Sequence, residues 1–230
     1  MDEVKLMNRS DTKFVFSPKL LSKVLPSIQD YYHVLEIGGA HSSDYRSLYY
    51  DTEDFLFYNQ HHNGKANRNK VRFREYIDSG LCFLEVKKKN NKGKTIKKRI
   101  KVGEIAKNLT GENKVFVSKT IGQECYLIPR HWNSFKRITF VHKTAKERLT
   151  IDVDFQFKDM QKSGIIEGLV IAEVKQERMT RSSDFMRIIK ENGVRPFRIS
   201  KYCIATASLY PQLKRNNFKR KFLHLNKLDQ

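Results

Sequence analysis

Cysteine is scarce in this chain of 230 residues, and the three present (Cys82, Cys125, Cys203) are too few and too far apart for a disulfide framework or a zinc pattern. Long apolar runs are missing too. The best, residues 169–174, is a third of the roughly 18–20 residues that a membrane-spanning helix needs. The opening Met1-Asp2-Glu3-Val4-Lys5 has no apolar stretch of the kind a secretory signal carries. Proline (5) and glycine (11) are sparse, with no linker, low-complexity segment or internal repeat. Together these absences predict a reduced, cytoplasmic globular protein, read as one domain over residues 1–230.

Negative charge is the most telling shortage. Against 45 Lys+Arg there are only 25 Asp+Glu, a formal net charge of +20. Hydrophobic residues at 39% and aromatics at 11% exclude a disordered polycation. The excess therefore calls for a polyanionic partner: nucleic acid, polyphosphate, nucleotide or anionic lipid.

The cations alternate with apolar residues inside segments that read as strands. Arg72 and Arg74 share one face, Val71 and Phe73 the other. Cys82, Leu84 and Val86 oppose Glu85, Lys87 and Lys89; Ile96, Ile100 and Val102 oppose Lys97, Arg99 and Lys101. Leu149, Ile151, Val153 and Phe155 oppose Arg148, Thr150, Asp152 and Asp154, and Val170, Ala172 and Val174 oppose Glu173 and Lys175. A weaker alternation sets Arg9, Asp11 and Lys13 against Ser10, Thr12 and Phe14. A single charged sheet face means little, but five of them facing bulk water would set like charges side by side without return. Converging inside a closed barrel, they form an anion-binding channel whose apolar outer face needs helices over it. Because the cations sit within strands, nucleic acid is the disfavoured partner.

Helices are available. Ser17-Pro18 starts one with Leu20, Leu21, Val24, Leu25 and Ile28 on its apolar face, and Pro26 is expected to kink or divide it. Ser182 or Ser183 caps a second that carries Phe185, Ile188 and Ile189 and stops at Asn192-Gly193. A third covers residues 202–209 after a strand-like Arg198-Ile199-Ser200-Lys201. A basic amphipathic helix over about 214–228 carries Phe218, Phe222, Leu225 and Leu228, read as packing rather than membrane contact. Residues 103–131 read as a helix-loop insertion.

Two motifs fail. Lys92-Gly93-Lys94-Thr95 looks like the end of a phosphate-binding loop, but position 88 is lysine where glycine is required, so Asn90-Asn91-Lys92-Gly93 reads as a hairpin turn. His61 and His62, read on a strand, point opposite ways and lack a carboxylate-histidine cluster for a metal.

In order along the chain, Tyr45-Arg46-Ser47-Leu48-Tyr49-Tyr50-Asp51-Thr52, Phe57-Tyr58, Lys70-Val71-Arg72-Phe73-Arg74, Leu84-Glu85-Val86-Lys87, Lys97-Lys98-Arg99, Arg137-Ile138-Thr139-Phe140, Glu147-Arg148-Leu149-Thr150-Ile151-Asp152, Glu173-Val174-Lys175 and Phe197-Arg198-Ile199-Ser200-Lys201-Tyr202 resemble the VTC domain. That is the polyphosphate polymerase domain of the vacuolar transporter chaperone family, within the CYTH-like triphosphate tunnel superfamily. The resemblance spans about residues 9–221 and implies an α+β fold, an eight-stranded antiparallel barrel with a basic lumen and covering helices. It implies ATP-dependent polyphosphate synthesis, with ATP and polyphosphate or triphosphate as ligands. Lys13, Arg72, Arg74, Lys87, Lys97, Arg137, Arg148 and Lys201 are the implied phosphate ligands, with Lys201, Arg137 and Arg148 the catalytic set. Glu173 is the implied ligand of a divalent metal, Mn²⁺ or Mg²⁺. One departure stands out: where the superfamily opens with Glu-x-Glu-x-Lys, this chain has Arg9-x-Asp11-x-Lys13, which suits a synthase more than a two-metal hydrolase. A tunnel triphosphatase, using a water held by Glu85, Asp152, Asp154 or Glu173, and a non-catalytic polyanion binder are the alternative functions.

Overall fold

The structure, a computed structural model, describes residues 10–177 and 183–228; Arg9 and Ser182 fall outside them. Its spine is an antiparallel sheet built from β1 (Ser10–Phe16), β3 (Ser42–Asp51), β4 (Arg68–Tyr76), β5 (Leu81–Lys89), β6 (Thr95–Val102), β7 (Ile128–His142), β8 (Glu147–Lys158) and β10 (Val170–Gln176). These eight strands run in the order β1-β10-β8-β7-β3-β4-β5-β6, with β2 (Tyr32–Val34) added to β7 and β9 (Ser163–Ile165) to β8. The sheet curls into a half-barrel whose end strands, β1 and β6, are not paired with each other among the described residues.

The outer face carries the apolar residues, as the alternation predicts. Phe14, Phe16, Leu149, Ile151, Ala172 and Val174 are buried under α1 (Pro18–Gln29) and α4 (Asp184–Glu191), which contribute Leu21, Val24, Ile28, Phe185, Ile188 and Ile189. Leu48, Tyr50, Val71, Phe73, Leu84 and Val86 are covered by Val117 and Ile121 of α3 (Gly111–Ile121) and Phe57 of α2 (Leu56–His62). At about 25 cal/mol per Å², each such residue contributes on the order of 1.5–3 kcal/mol, so these two layers fix which face turns inward.

Several expectations change. Pro26 neither ends nor divides α1, which continues to Gln29. Its ring lies on the exposed side, where water can take the carbonyl left without its bond. Ser17 caps α1 by accepting from Leu20 N, and Ser183 caps α4 by accepting from Met186 N. His61 and His62 sit on helix α2, not on a strand. Residues 198–201 make no strand: Phe197 N donates to Lys13 O at 2.7 Å, and Ser200 caps α5 (Lys201–Leu209). The 103–131 insertion ends sooner than expected, since β7 begins at Ile128. The C-terminal helix is shorter than 214–228: a 3-10 turn at Asn216–Phe218 leads into α6 (Lys219–Leu225). Its Phe218 and Leu225 are buried in the structure's own packing. The Asn90–Gly93 hairpin is present, with Gly93 at φ 74° and Asn90 N bonded to Lys94 O.

One correction bears on the site. Asp154 has φ 55°, and the β7–β8 register jumps from Lys136↔Val153 to Ser134↔Gln156. Asp154 and Phe155 thus oppose Phe135 alone, a bulge that reverses the facing of everything after it. Leu149 and Ile151 stay outside, whereas Phe155 turns inward to join Val15, Tyr45, Phe135 and Ile171, and Asp154 is exposed. The inner face is therefore not basic throughout. Toward one end it is apolar, and Ile204 and Leu209 of α5 pack there.

Candidate functional site

Cross-strand register assembles the inner face into three charge groups. In the first, Arg72 on β4 stands opposite Glu85 on β5. Its Nε and Nη2 donate to Glu85 Oε2 at 2.9 and 2.6 Å, and its Nη1 donates to the Tyr49 hydroxyl at 2.8 Å. Lys97 on β6 pairs with the other Glu85 oxygen. Burial alone would push the Glu85 carboxyl up, but Arg72, Arg74 and Lys97 hold it well below the usual carboxylate range. Burial pulls Lys97 down to about 8, with Glu85 opposing.

In the second, Arg137 on β7 stands opposite Asp152 on β8 and grips it with both arms, Nε to Oδ1 at 2.5 Å and Nη2 to Oδ2 at 2.7 Å. Lys201, at the first helical position of α5, donates Nζ to Asp152 Oδ2 at 2.5 Å. Burial pulls Lys201 down to about 8. For Asp152 burial works upward, yet Arg137 and Lys201 keep it below the usual range.

In the third, Lys13 on β1 faces Glu173 on β10, with Nζ 3.8 Å from Oε1. Lys175 Nζ lies 2.8 Å from Glu173 Oε2 and donates to Thr150 Oγ1 at 2.9 Å. Burial raises Glu173, but Lys13, Lys175, Lys87 and Arg137 hold it well below the carboxylate range. Arg148 stands opposite Lys175 across β8 and β10.

Between these groups lie cations of another kind, buried at Arg74 and half-buried at Lys70 and Lys87. Arg74 is 7% exposed, donates Nε to Ser47 Oγ at 3.2 Å and rests over the Tyr45 and Phe135 rings, with no carboxylate partner among the described residues. Burial, then Arg72, pulls it down to about 10. Lys87 faces Lys70 on one side and Lys97 on the other. It has no hydrogen bond or ion pair among the described residues, and burial with Arg72 beside it holds it well below the usual lysine range. Lys70 donates to Ser200 Oγ at 2.9 Å and is likewise lowered, by burial first. A cation held from water without a counter-charge is costly, and buried Arg74 with the facing, half-buried Lys70 and Lys87 make a face that an anion would stabilise.

The structure thus brings Lys13, Arg72, Arg74, Lys87, Lys97, Arg137, Arg148, Glu173 and Lys201 onto one concave face. The sequence reading omitted Lys70 and Lys175 from the site. Each lies one alternation step from a named residue, Arg72 or Glu173, and that spacing was the available signal. His131 on the inner face of β7 is a further inner residue outside the sequence reading. It bonds Asn133 Oδ1 at 2.9 Å and Thr206 Oγ1 at 3.0 Å, and burial pulls it down to about 4. It is neutral, and Tyr49 and Tyr202 pack against its ring.

A resident metal cage does not fit this face. No group of three His, Cys, Asp or Glu side chains converges among the described residues, and Glu173 Oε2 is taken by Lys175. Glu173 Oε1, with Lys13 at 3.8 Å, is the freer oxygen. The donor set fits a divalent ion that takes one carboxylate oxygen and completes its shell with phosphate oxygens and water, the usual manner of Mg²⁺.

Beyond Lys70 and Lys87 the face opens into a cavity of about 310 Å³. Arg68, Lys70, Lys87, Lys89, Arg198 and Lys221 line it beside His61 and Cys203, and no aspartate or glutamate among the described residues does.

The model of the VTC domain family matches residues 8–210. Among solved structures, a Hippeastrum protein provisionally described as an adenylyl cyclase with a dominant triphosphatase activity is similar, at TM-score 0.57 and 14% identity, over 88% of this chain and 96% of that one. A protein from Bacillus halodurans provisionally described as an adenylate cyclase is similar at TM-score 0.53 and 13% identity, over 84% of this chain and 96% of that one. No curated protein matches the chain. At these identities the two structures speak to the fold, and both share the curled antiparallel sheet.

Proposed function

Because the chain belongs to the VTC domain family, and so is a triphosphate-tunnel protein, we propose that it is an ATP-dependent polyphosphate polymerase working on this concave face. The observation that carries the reading is a set of cations without carboxylate partners among the described residues, buried Arg74 and half-buried Lys70 and Lys87, set among the three matched carboxylates. Matched pairs alone would make a structural network. The surplus calls for a ligand with several negative charges in a row.

In this reading the terminal oxygen of a phosphate chain attacks the γ-phosphorus of ATP. The new O–P bond forms as the bond to the β,γ-bridging oxygen breaks, and ADP departs. That nucleophile is already ionised at neutral pH, so no side chain need take a proton. Phosphoryl transfer of this kind depends on alignment and charge neutralisation. Lys13, Arg72, Arg74, Lys87 and Lys97 hold phosphate oxygens, with arginine making planar two-pronged contacts and lysine acting as a point charge. Arg137, Arg148 and Lys201 stabilise charge building on the transferred group. Asp152 keeps Arg137 and Lys201 aimed while the site is empty of substrate. A divalent ion, Mn²⁺ or Mg²⁺, carried in on the phosphates and held through Glu173, would offset charge on the phosphate oxygens. A cytoplasmic location, where ATP is available, goes with this reading. No helix among the described residues is long and apolar enough to cross a membrane.

A tunnel triphosphatase is the second reading, and the activity described for the Hippeastrum protein favours it. Hydrolysis needs a water held by carboxylates. Glu85 and Asp152 are both committed to cations, and Asp154 is turned out to solvent. Incubation with ATP and Mn²⁺ followed by a product gel separates the two: chains support the polymerase, orthophosphate alone the hydrolase.

A further inference from the structure

The two ends of the phosphate-binding face differ chemically. At the Lys87 end lies the cavity lined by cations without a carboxylate. At the opposite end the inner-facing positions turn aromatic. Phe83 lies two residues before Glu85 on β5, so it shares the inner face, and it stands opposite Arg74. Tyr76 lies two residues after Arg74 on β4. The rings of Tyr76 and Phe83 meet edge to face, with centroids 5.8 Å apart. The Arg99 guanidinium sits 4.5 Å from the Phe83 centroid. Phe83 and Tyr76 are only half-buried, and Arg99 is exposed and in no ion pair among the described residues.

The Phe83 ring has no donor for the oxygens of a bare phosphate chain, and the Arg99 guanidinium stacked on it at 4.5 Å shows that its face takes a flat partner. It suits a planar, uncharged, π-bearing group. The spacing fits as well: at about 3.3 Å per residue, Phe83 lies roughly 7 Å along the strand from Glu85 and roughly 13 Å from Lys87. An extended nucleoside triphosphate can therefore set its base at Phe83 and its terminal phosphate near Lys87.

We propose that Phe83, Tyr76 and Arg99 form a nucleobase-stacking shelf at one mouth of the tunnel, so that a nucleoside triphosphate lies with its base there and its phosphates toward the cationic cavity. This rests on the triphosphate-tunnel reading. The base takes the place on Phe83 that the Arg99 guanidinium holds in the free chain, with Tyr76 at its edge and the guanidinium moved onto the outer face of the base. Stacking tolerates any base, and the larger purines gain more from it. The shelf thus makes purine nucleoside triphosphates the preferred donors without hydrogen-bond readout, and it gives the tunnel a nucleoside end and a chain end.

The test is calorimetric binding of ATP and of inorganic tripolyphosphate to the full chain and to Phe83→Leu, which keeps apolar volume but removes the π face. ATP binding should weaken at least about fivefold, with tripolyphosphate binding changed less than about twofold. Arg99→Gln, at an exposed position where folding is not at stake, should weaken ATP about two- to fivefold and spare tripolyphosphate. In the unmodified protein CTP should bind more weakly than ATP, and Phe83→Leu should narrow that gap. Equal losses for both ligands, or no loss for ATP in either variant, overturn the shelf and leave the tunnel standing. If tripolyphosphate does not bind the unmodified protein, the tunnel reading fails and the shelf with it.

Discussion

Lys201 at the start of α5 donates to Asp152 in the middle of β8 at 2.5 Å, sharing that carboxylate with Arg137. The shared pairing makes the two basic residues unequal partners of the acidic one. Lys201→Ala leaves Asp152 gripped by both arms of Arg137, so turnover should be abolished while the protein stays folded. Asp152→Ala leaves two buried cations without a counter-charge and should cost about 3–5 kcal/mol. Thermal melts of the two variants test this. A lower melting temperature for Lys201→Ala than for Asp152→Ala would contradict it.

Arg74 and Arg72 differ in the same way. Arg72 neutralises the fully buried Glu85, so Arg72→Ala should lower stability as well as activity. Arg74 has no carboxylate to abandon, which makes Arg74→Ala the cleaner probe. Its melting point without ligand should stay near that of the unmodified protein while affinity for tripolyphosphate falls at least about tenfold. Unfolding of Arg74→Ala without ligand, or unchanged affinity, is the contrary result.

Lys87 takes this to its limit. Without ligand it is a half-buried charge with lysines on both sides, so Lys87→Met should raise the melting temperature of the free protein. For the unmodified chain, tripolyphosphate at a hundred times its dissociation constant should add about 2.7 kcal/mol, or roughly 5–10 °C. The variant should lose most of that gain. A Lys87→Met protein less stable than its parent when free would contradict the assignment of Lys87 as an uncompensated cation.

The lowered lysines also set a pH dependence. Lys97 and Lys201 titrate near 8 in the folded chain against an ordinary value of 10.5. Between those values the unfolded chain binds more protons than the folded one, so the free protein should gain stability as pH rises from 8 toward 10.5. A bound polyanion favours the charged lysines, so binding must take up protons in that window and weaken as pH rises through it. Titrations of tripolyphosphate in two buffers of different ionisation enthalpy measure the uptake. Affinity that stays flat from about pH 7 to 10 would rule out these two lysines as ligands.

Much of this face could be read from the chain because strand alternation survives wherever a strand is regular. Arg72 and Arg74 against Val71 and Phe73 gave both the outer core and the inner charge, and the order of motifs supplied Arg137 and Lys201. The reading failed where geometry departs from alternation. The bulge at Asp154 reversed Phe155 because one extra residue in β8 has no signature in composition. The start of β7 was hidden by Pro129 and by inward-facing His131 and Asn133, whose polarity breaks the apolar pattern. His61 and His62 looked like part of a strand because the cap of α2 is distant in kind: Asp51, from the end of β3, accepts from Phe57 N and Tyr58 N. Pairing was beyond reach as well. Nothing in the order of residues says that Glu85, Asp152 and Glu173 would be matched while Arg74 and Lys87 are not.

The central claim is that these unmatched cations guide a growing phosphate chain, and its most direct test is a gel of the products made from ATP and Mn²⁺ by the purified full chain. A ladder of long polyphosphate that disappears with Lys201→Ala is the predicted result. Orthophosphate without chains, in the unmodified protein, would contradict it.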